Sequence, residues 1–166
     1  ENKVAKFTGS KYAIATVNGT AALHATILLA GVKPGDEVIS QALTFIATCN
    51  AISYSGADPV FVDVDVDTMG MSPEALKHFL ERHAEKRDGK CYNKSSGRRI
   101  AACIPMHTFG LPCRIAEIAV ICVDWNITLI EDAAESLGSY VGDKHTGTFS
   151  SIATLSFNGN KVITTG

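Results

Sequence analysis

Four short segments hold residue types that could do chemistry together. The first is Ser156-Phe157-Asn158-Gly159-Asn160-Lys161, a small polar loop after an apolar stretch. A lysine there becomes a nucleophile when its setting lowers its basicity, or when its amine is consumed as an imine. Standing alone it reads as a solvated surface charge, the usual fate of lysine. In the second, Glu131 and Asp132 close an apolar run, and Ala133, Ala134, Glu135 and Ser136 follow. A carboxylate at a buried strand end is costly unless something cationic meets it. A protonated pyridine nitrogen would be such a cation; the plainer reading is an acid capping the next helix. The third, Asn18-Gly19-Thr20, opens a helix, where free amides and the positive dipole end attract anions. Alone, it is an ordinary cap. The fourth is Leu43-Thr44-Phe45, whose aromatic could stack on a flat ring or simply fill the core.

Other chemistries lack their signatures. There is no G-x-G-x-x-G after a strand, no G-x-x-x-x-G-K-[ST] and no G-x-S-x-G. The five histidines show no metal-ligand spacing. His107 alone is expected at a strand end, where it could line a site. The five cysteines include no C-x-x-C pair, which argues against a zinc site or a disulfide framework. Cys49 and Cys122 read as core fillers within apolar helices.

The elements that must position these residues alternate. Helices are expected over 21–30, 44–54, 73–83 and 115–126. Strands are expected over 37–40, 59–64, 100–106, 127–130 and 152–157, rich in β-branched residues. Ser72-Pro73 is a cap followed by proline at the first helical position. Residues 85–99 have loop or hairpin composition and hold a basic cluster, read as a solvated loop. Strands separated by helices imply right-handed crossovers and a mostly parallel sheet covered on both faces. Ligands then gather at the carboxyl ends of strands, where the four segments lie.

Composition is that of a globular protein, with 46% hydrophobic and 19% charged residues and a net charge of −2. That charge offers no field for nucleic acid. No apolar run reaches the ~20 residues that span a bilayer. A reduced, cytoplasmic protein is the expectation. The chain begins without Met and stops soon after Lys161, so a piece of a longer protein is expected.

The segments in this order resemble the DegT/DnrJ/StrS family of sugar aminotransferases, which depend on pyridoxal phosphate (PLP). The resemblance runs from Thr8 to Gly166. It includes NGTAALHATILLAGVKPGDEVI, TFIATCNAISYSGADPVFVDVD, MHTFG, EDAAESLGS and SFNGNKVITTG. The last run, with the Arg98-containing insertion, is most similar to the LegC-type branch. That branch aminates UDP-linked 4-keto-6-deoxy-N-acetylhexosamines for bacterial surface sugars.

The resemblance implies a three-layer fold with a mostly parallel, seven-stranded-type sheet, incomplete in this chain. Residues 1–166 would be part of a PLP-binding large domain, without the C-terminal small domain. Lys161 matches the Schiff-base lysine, and Asp132 the partner of the pyridine nitrogen. Gly19, Thr20 and Ser156 match phosphate-binding positions, and Phe45 the ring-stacking aromatic. Glu135 falls where many relatives have glutamine near the ring hydroxyl. A nucleotide sugar, an amino donor such as glutamate and a homodimer are implied partners. Two other readings stay open: a PLP-binding protein without transferase activity, and a plain α/β nucleotide-binding module. The latter has no use for Lys161 or Asp132.

Overall fold

The computed structural model describes residues 1–165. Gly166, the end of the last resembling segment, lies outside them. The helices are α1 (Asn2–Thr8), α2 (Gly19–Leu29), α3 (Ile46–Tyr54), α4 (Pro73–His83) and α5 (Ile115–Asp124). The strands are β1 (Glu37–Gln41), β2 (Asp58–Val62), β3 (Ala84–Arg87), β4 (Lys90–Asn93), β5 (Arg99–Ile104), β6 (Thr128–Asp132), β7 (Tyr140–Val141), β8 (Lys144–His145) and β9 (Ile152–Thr154).

Five strands run parallel in the order β2-β1-β5-β6-β9. Hairpin β3–β4 joins antiparallel beside the first half of β5, making seven strands. Alternation within the strands sends side chains to two cores. Ile39, Cys103 and Leu129 pack with Leu76 and Leu80 of α4 and Ile115 and Ile118 of α5. Their neighbours Val38, Ile104 and Ile130 pack with Leu23 and Ile27 of α2 and Ala51 and Ile52 of α3. The fold is therefore helix–sheet–helix, with β1 buried on both faces. An irregularity between Glu37 and Val38 leaves Ala101 unpaired against β1, which explains why both Ala101 and Ala102 face the second core.

Local chemistry accounts for the element ends. The Asn18 side chain accepts from Ala21 N–H at 2.8 Å and Ser72 Oγ from Ala75 N–H at 3.3 Å, capping α2 and α4. Helix α3 begins at Ile46 rather than Thr44, with Phe45 extended at its N-cap. Strand β9 stops at Thr154, short of Phe157, because the chain turns into the loop that carries Lys161. The basic cluster is solvated as expected, with Lys86, Arg87, Lys90, Lys94 and Arg98 exposed, but it lies on a hairpin and the turn after it rather than on a loop. Asp88 and Gly89, both at positive φ, form a two-residue hairpin turn. Arg87 stacks on Tyr92, Lys86 lies over Trp125, and Arg98 pairs with Asp58. Cys122 is core, whereas Cys49 is only half-buried. Among the described residues, no helix is long and apolar enough to cross a membrane.

A short 3₁₀ turn, Thr108–Gly110, follows β5. Gly110 has φ +81°, and a Cβ there would come within 2.7 Å of the Glu135 carbonyl oxygen. Gly97 has φ +71° with open space around it. Gly110→Ala should therefore destabilise by about 1–3 kcal/mol more than Gly97→Ala, since overpacking adds to the left-handed penalty. Urea midpoints check this; equal losses would refute the close contact.

Candidate active site

Adjacent residues of a strand face opposite ways, so Glu131 and Asp132 enter different environments. Both are buried. Glu131 Oε2 faces His107 Nε2 at 3.2 Å and accepts from Gly147 N–H at 2.7 Å. Its Oε1 accepts from Ser150 N–H at 2.7 Å and Ser150 Oγ at 3.0 Å. Burial pushes its pKa up, but the bonds from His107, Ser150 and Gly147 outweigh this and hold it below the ordinary value. Glu131 thus ties the 147–150 loop to the sheet.

His107, expected to line a site, is fully buried and serves this network instead. Its Nδ1 accepts from Cys113 N–H at 3.3 Å, so Nε2 carries the proton donated to Glu131. Cys113 Sγ lies 3.6 Å from the same Nδ1. A cysteine–histidine–acid chain has the outline of a nucleophilic triad. Burial, with Glu131 nearby, pushes the Cys113 thiol up to about 12, so it stays protonated and inert.

Asp132 is solved differently. It is 2% exposed. Its Oδ2 accepts from Thr48 Oγ1 at 2.7 Å and its Oδ1 from Ala134 N–H at 3.3 Å. Burial is the largest influence and raises its pKa; the Thr48 and Ala134 bonds pull it down without overcoming that. The carboxylate can still accept; among the described residues no cation pairs with it directly, though the Lys161 charge acts on it. Thr48, on α3, was not singled out by sequence reasoning. Its position four residues after Thr44, one turn into the helix, gave no signal without the sheet beside it.

Lys161 reaches the same place from the loop after β9. Its Nζ lies 2.8 Å from Glu135 Oε1 and 5.6 Å from the centroid of the Phe45 ring. The lysine side chain is 11% exposed, contrary to a solvated charge. Its backbone N–H donates to Asn158 O at 2.9 Å, closing the turn that carries it. Phe45 is 62% exposed rather than buried in the core, so its ring is available to a ligand. Glu135 meets Lys161.

The anion segments also converge. A Cβ on Gly19 would lie 3.5 Å from Ser156 Cβ and Oγ, so the start of α2 adjoins the loop after β9. Thr20 is half-buried beside it, in the first turn of α2. A shallow cavity of about 300 Å³ is lined by Asn18, Thr20, Ala21, His24 and Tyr54. Thr154, paired with Asp132 across β6 and β9, has a buried hydroxyl with no partner among the described residues. A helix start, a serine hydroxyl, an unsatisfied threonine, a buried acid and a lysine thus gather at one end of the sheet. Such a set fits an anionic group at one end of a flat ring, a cationic ring atom at Asp132 and a carbonyl carbon at Lys161. Among the described residues no group of His, Cys, Asp and Glu could hold a metal ion.

Comparison with known proteins shows the family and the fold. The profile of the DegT/DnrJ/EryC1/StrS aminotransferase family matches residues 1–166. The chain is 42% identical over 165 residues to EpsN of Bacillus subtilis (strain 168), provisionally named a pyridoxal phosphate-dependent aminotransferase. That match covers 99% of this chain and 40% of EpsN. It is also 42% identical over 166 residues to GDP-perosamine synthase of Escherichia coli O157:H7, covering 100% of this chain and 41% of the synthase. The crystal structure of a DegT DnrJ EryC1 StrS aminotransferase from Brucella abortus superposes with a TM-score of 0.86 at 33% identity. It covers 97% of this chain and 41% of that one. The chain therefore spans about two fifths of the length of the relatives it matches.

The two acids should act oppositely on stability. Glu131, with its pKa lowered in the fold, contributes stability above its ordinary value of 4.5 and loses it as pH falls further. Asp132, with its pKa raised, imposes a penalty at neutral pH that is relieved as pH falls toward 3.8. Asp132→Asn keeps room for both bonds, since Thr48 can accept as well as donate. It should therefore stabilise the cofactor-free chain at neutral pH, and the gain should vanish in acid. Glu131→Gln turns an amide toward four donors and should cost about 2–3 kcal/mol at neutral pH. Urea midpoints across the acid range check both; a destabilised Asp132→Asn at neutral pH would contradict the assignment.

Proposed function

This chain belongs to the DegT/DnrJ/EryC1/StrS aminotransferase family, and from that premise we propose that it is the cofactor-binding part of a PLP-dependent sugar aminotransferase. The observation that carries the reading is the buried Asp132, held above its ordinary pKa with Lys161 nearby. A permanently buried carboxylate short of cationic partners suits a protonated ring nitrogen.

PLP, when bound, is the electron sink for the reaction. Asp132 holds a proton on the ring nitrogen, and Thr48 fixes the carboxylate that does so. Gly19, Thr20 and Ser156 receive the phosphate at the start of α2. Phe45 covers the ring face. Lys161 would hold the cofactor through its carbonyl, and its amine would be the group placed to accept and return a proton. Glu135, beside Lys161, would sit near the ring hydroxyl and could accept from it.

The finer reading is that the amino group passes from glutamate to a nucleotide-linked 4-keto-6-deoxy sugar in bacterial surface-sugar biosynthesis. The resemblance to the LegC-type branch supports a UDP-N-acetylhexosamine. The likeness to GDP-perosamine synthase supports a nucleotide sugar and makes a GDP-linked one the competing choice. Residues 1–166 would be part of the large domain, working as a homodimer in the complete protein. Exposed apolar side chains around the site, Phe45, Ile46, Phe109 and Leu111, favour such a cover. A PLP-binding protein without transferase activity has no observation that favours it.

The complete protein incubated with PLP should absorb in the visible range. Borohydride should abolish the band and leave the label on Lys161. Glutamate should bleach it, and one of a panel of UDP- and GDP-linked keto sugars should restore it. Asp132→Asn should keep the cofactor yet lose at least about a hundredfold in turnover, in line with removing an electrostatic group from the reacting centre. A colourless protein with no label on Lys161 would sink the proposal.

A further inference from the structure

Lys161 Nζ lies in a small cation cage. Glu135 Oε1 is 2.8 Å away, and the Phe45 ring faces it at 5.6 Å. Asp132, at the end of β6, adds negative field. The cage is fixed from behind, because Gly110 packs so closely on the Glu135 carbonyl that it leaves no room for a Cβ. A charge-assisted hydrogen bond and a cation–π contact both favour an ammonium over a neutral amine. An ammonium has no lone pair and cannot attack a carbonyl. The cage therefore opposes the reaction for which the lysine is positioned.

We propose that Glu135 and Phe45 form a resting cage that restrains Lys161 as an ammonium and slows its reaction with a carbonyl. The inference rests on Lys161 being the nucleophile of the proposed function, but it concerns the lysine before any cofactor arrives. Before reacting, Nζ must leave both contacts and give one proton to solvent. Its lone pair then forms the C–N bond to the carbonyl carbon, and the two remaining hydrogens leave with the carbonyl oxygen as water, giving the imine.

The test is reductive methylation of the cofactor-free full chain with formaldehyde and cyanoborohydride at one mildly alkaline pH. The rate at Lys161 is read by peptide mass spectrometry, with exposed Lys3 and Lys90 as internal references. Glu135→Gln should raise the relative rate at Lys161 about tenfold. That is the worth of the charge in one charge-assisted hydrogen bond at a partly exposed pair. Phe45→Leu, at an exposed ring, should raise it about two- to fivefold, the worth of a cation–π contact. Unchanged or slower labelling in Glu135→Gln would overturn the proposal, and no response to Phe45→Leu would overturn the part given to the ring. Formaldehyde needs no cofactor site. A Lys161 that responds to Glu135 in a protein that takes up no PLP would sink the transferase reading and leave the cage standing.

Discussion

A carboxylate buried at the end of a parallel strand is the constraint around which the rest of this chain is arranged. Glu131 and Asp132 are neighbours on β6, and the pleat forces them into different surroundings. Glu131 gathers bonds from His107, Gly147 and Ser150 until its charge is stabilised in place. Asp132 has one hydroxyl and one amide. The pair separates structure from function by the number of donors each acid meets. The fold could have supplied Asp132 with more, as it did its neighbour. Its remaining need for positive charge supports the proposal that it faces a ligand.

The sheet explains how segments far apart in sequence reach that acid. Strands β1, β5, β6 and β9 run parallel, so their carboxyl ends lie along one edge. Phe45 follows β1, His107 follows β5, Asp132 ends β6 and Lys161 follows β9. Helix α2 packs on the same face as Ile130, which brings its N-terminus to the loop after β9. Buried polar side chains keep these ends in register. Gln41 accepts from Met71 and Met106 N–H and donates to Thr108, while Ser40 donates to the Ile104 carbonyl. The bonds to Met71, Met106 and Ile104 satisfy buried backbone groups near strand ends.

Most of the architecture was legible because its signals are local. Apolar alternation, the Asn18 and Ser72 caps and the glycine stops marked helices and strands to within a few residues. What residue type alone left open has one cause. Phe45 and Lys161 each had a plain reading, core filler and surface charge, and the structure exposes the Phe45 ring and shields Lys161. Thr48 and the buried role of His107 were invisible for the same reason, since both depend on β6 passing beside them. The hairpin at 84–93 was one of two readings of that composition, and the Asp88-Gly89 turn decides for it. Long-range pairing decides such residues, and a single sequence shows it only through resemblance to a family.

The site divides into a rigid half and an adjustable half. Asp132, Thr48 and Gly19 belong to regular elements packed in the sheet and its inner helices, so their geometry is set by the core. Lys161, Glu135 and Phe45 lie on loops or at a helix cap and hold one another. That division suits the amino transfer proposed for these groups. A ring nitrogen must be met by a carboxylate that does not move, since any retreat would remove the charge that keeps it protonated. The lysine must leave its bond, carry a proton and return, which a residue locked in the core could not do. A loop lysine restrained by one carboxylate and one ring face is ordered enough to be aimed and free enough to move.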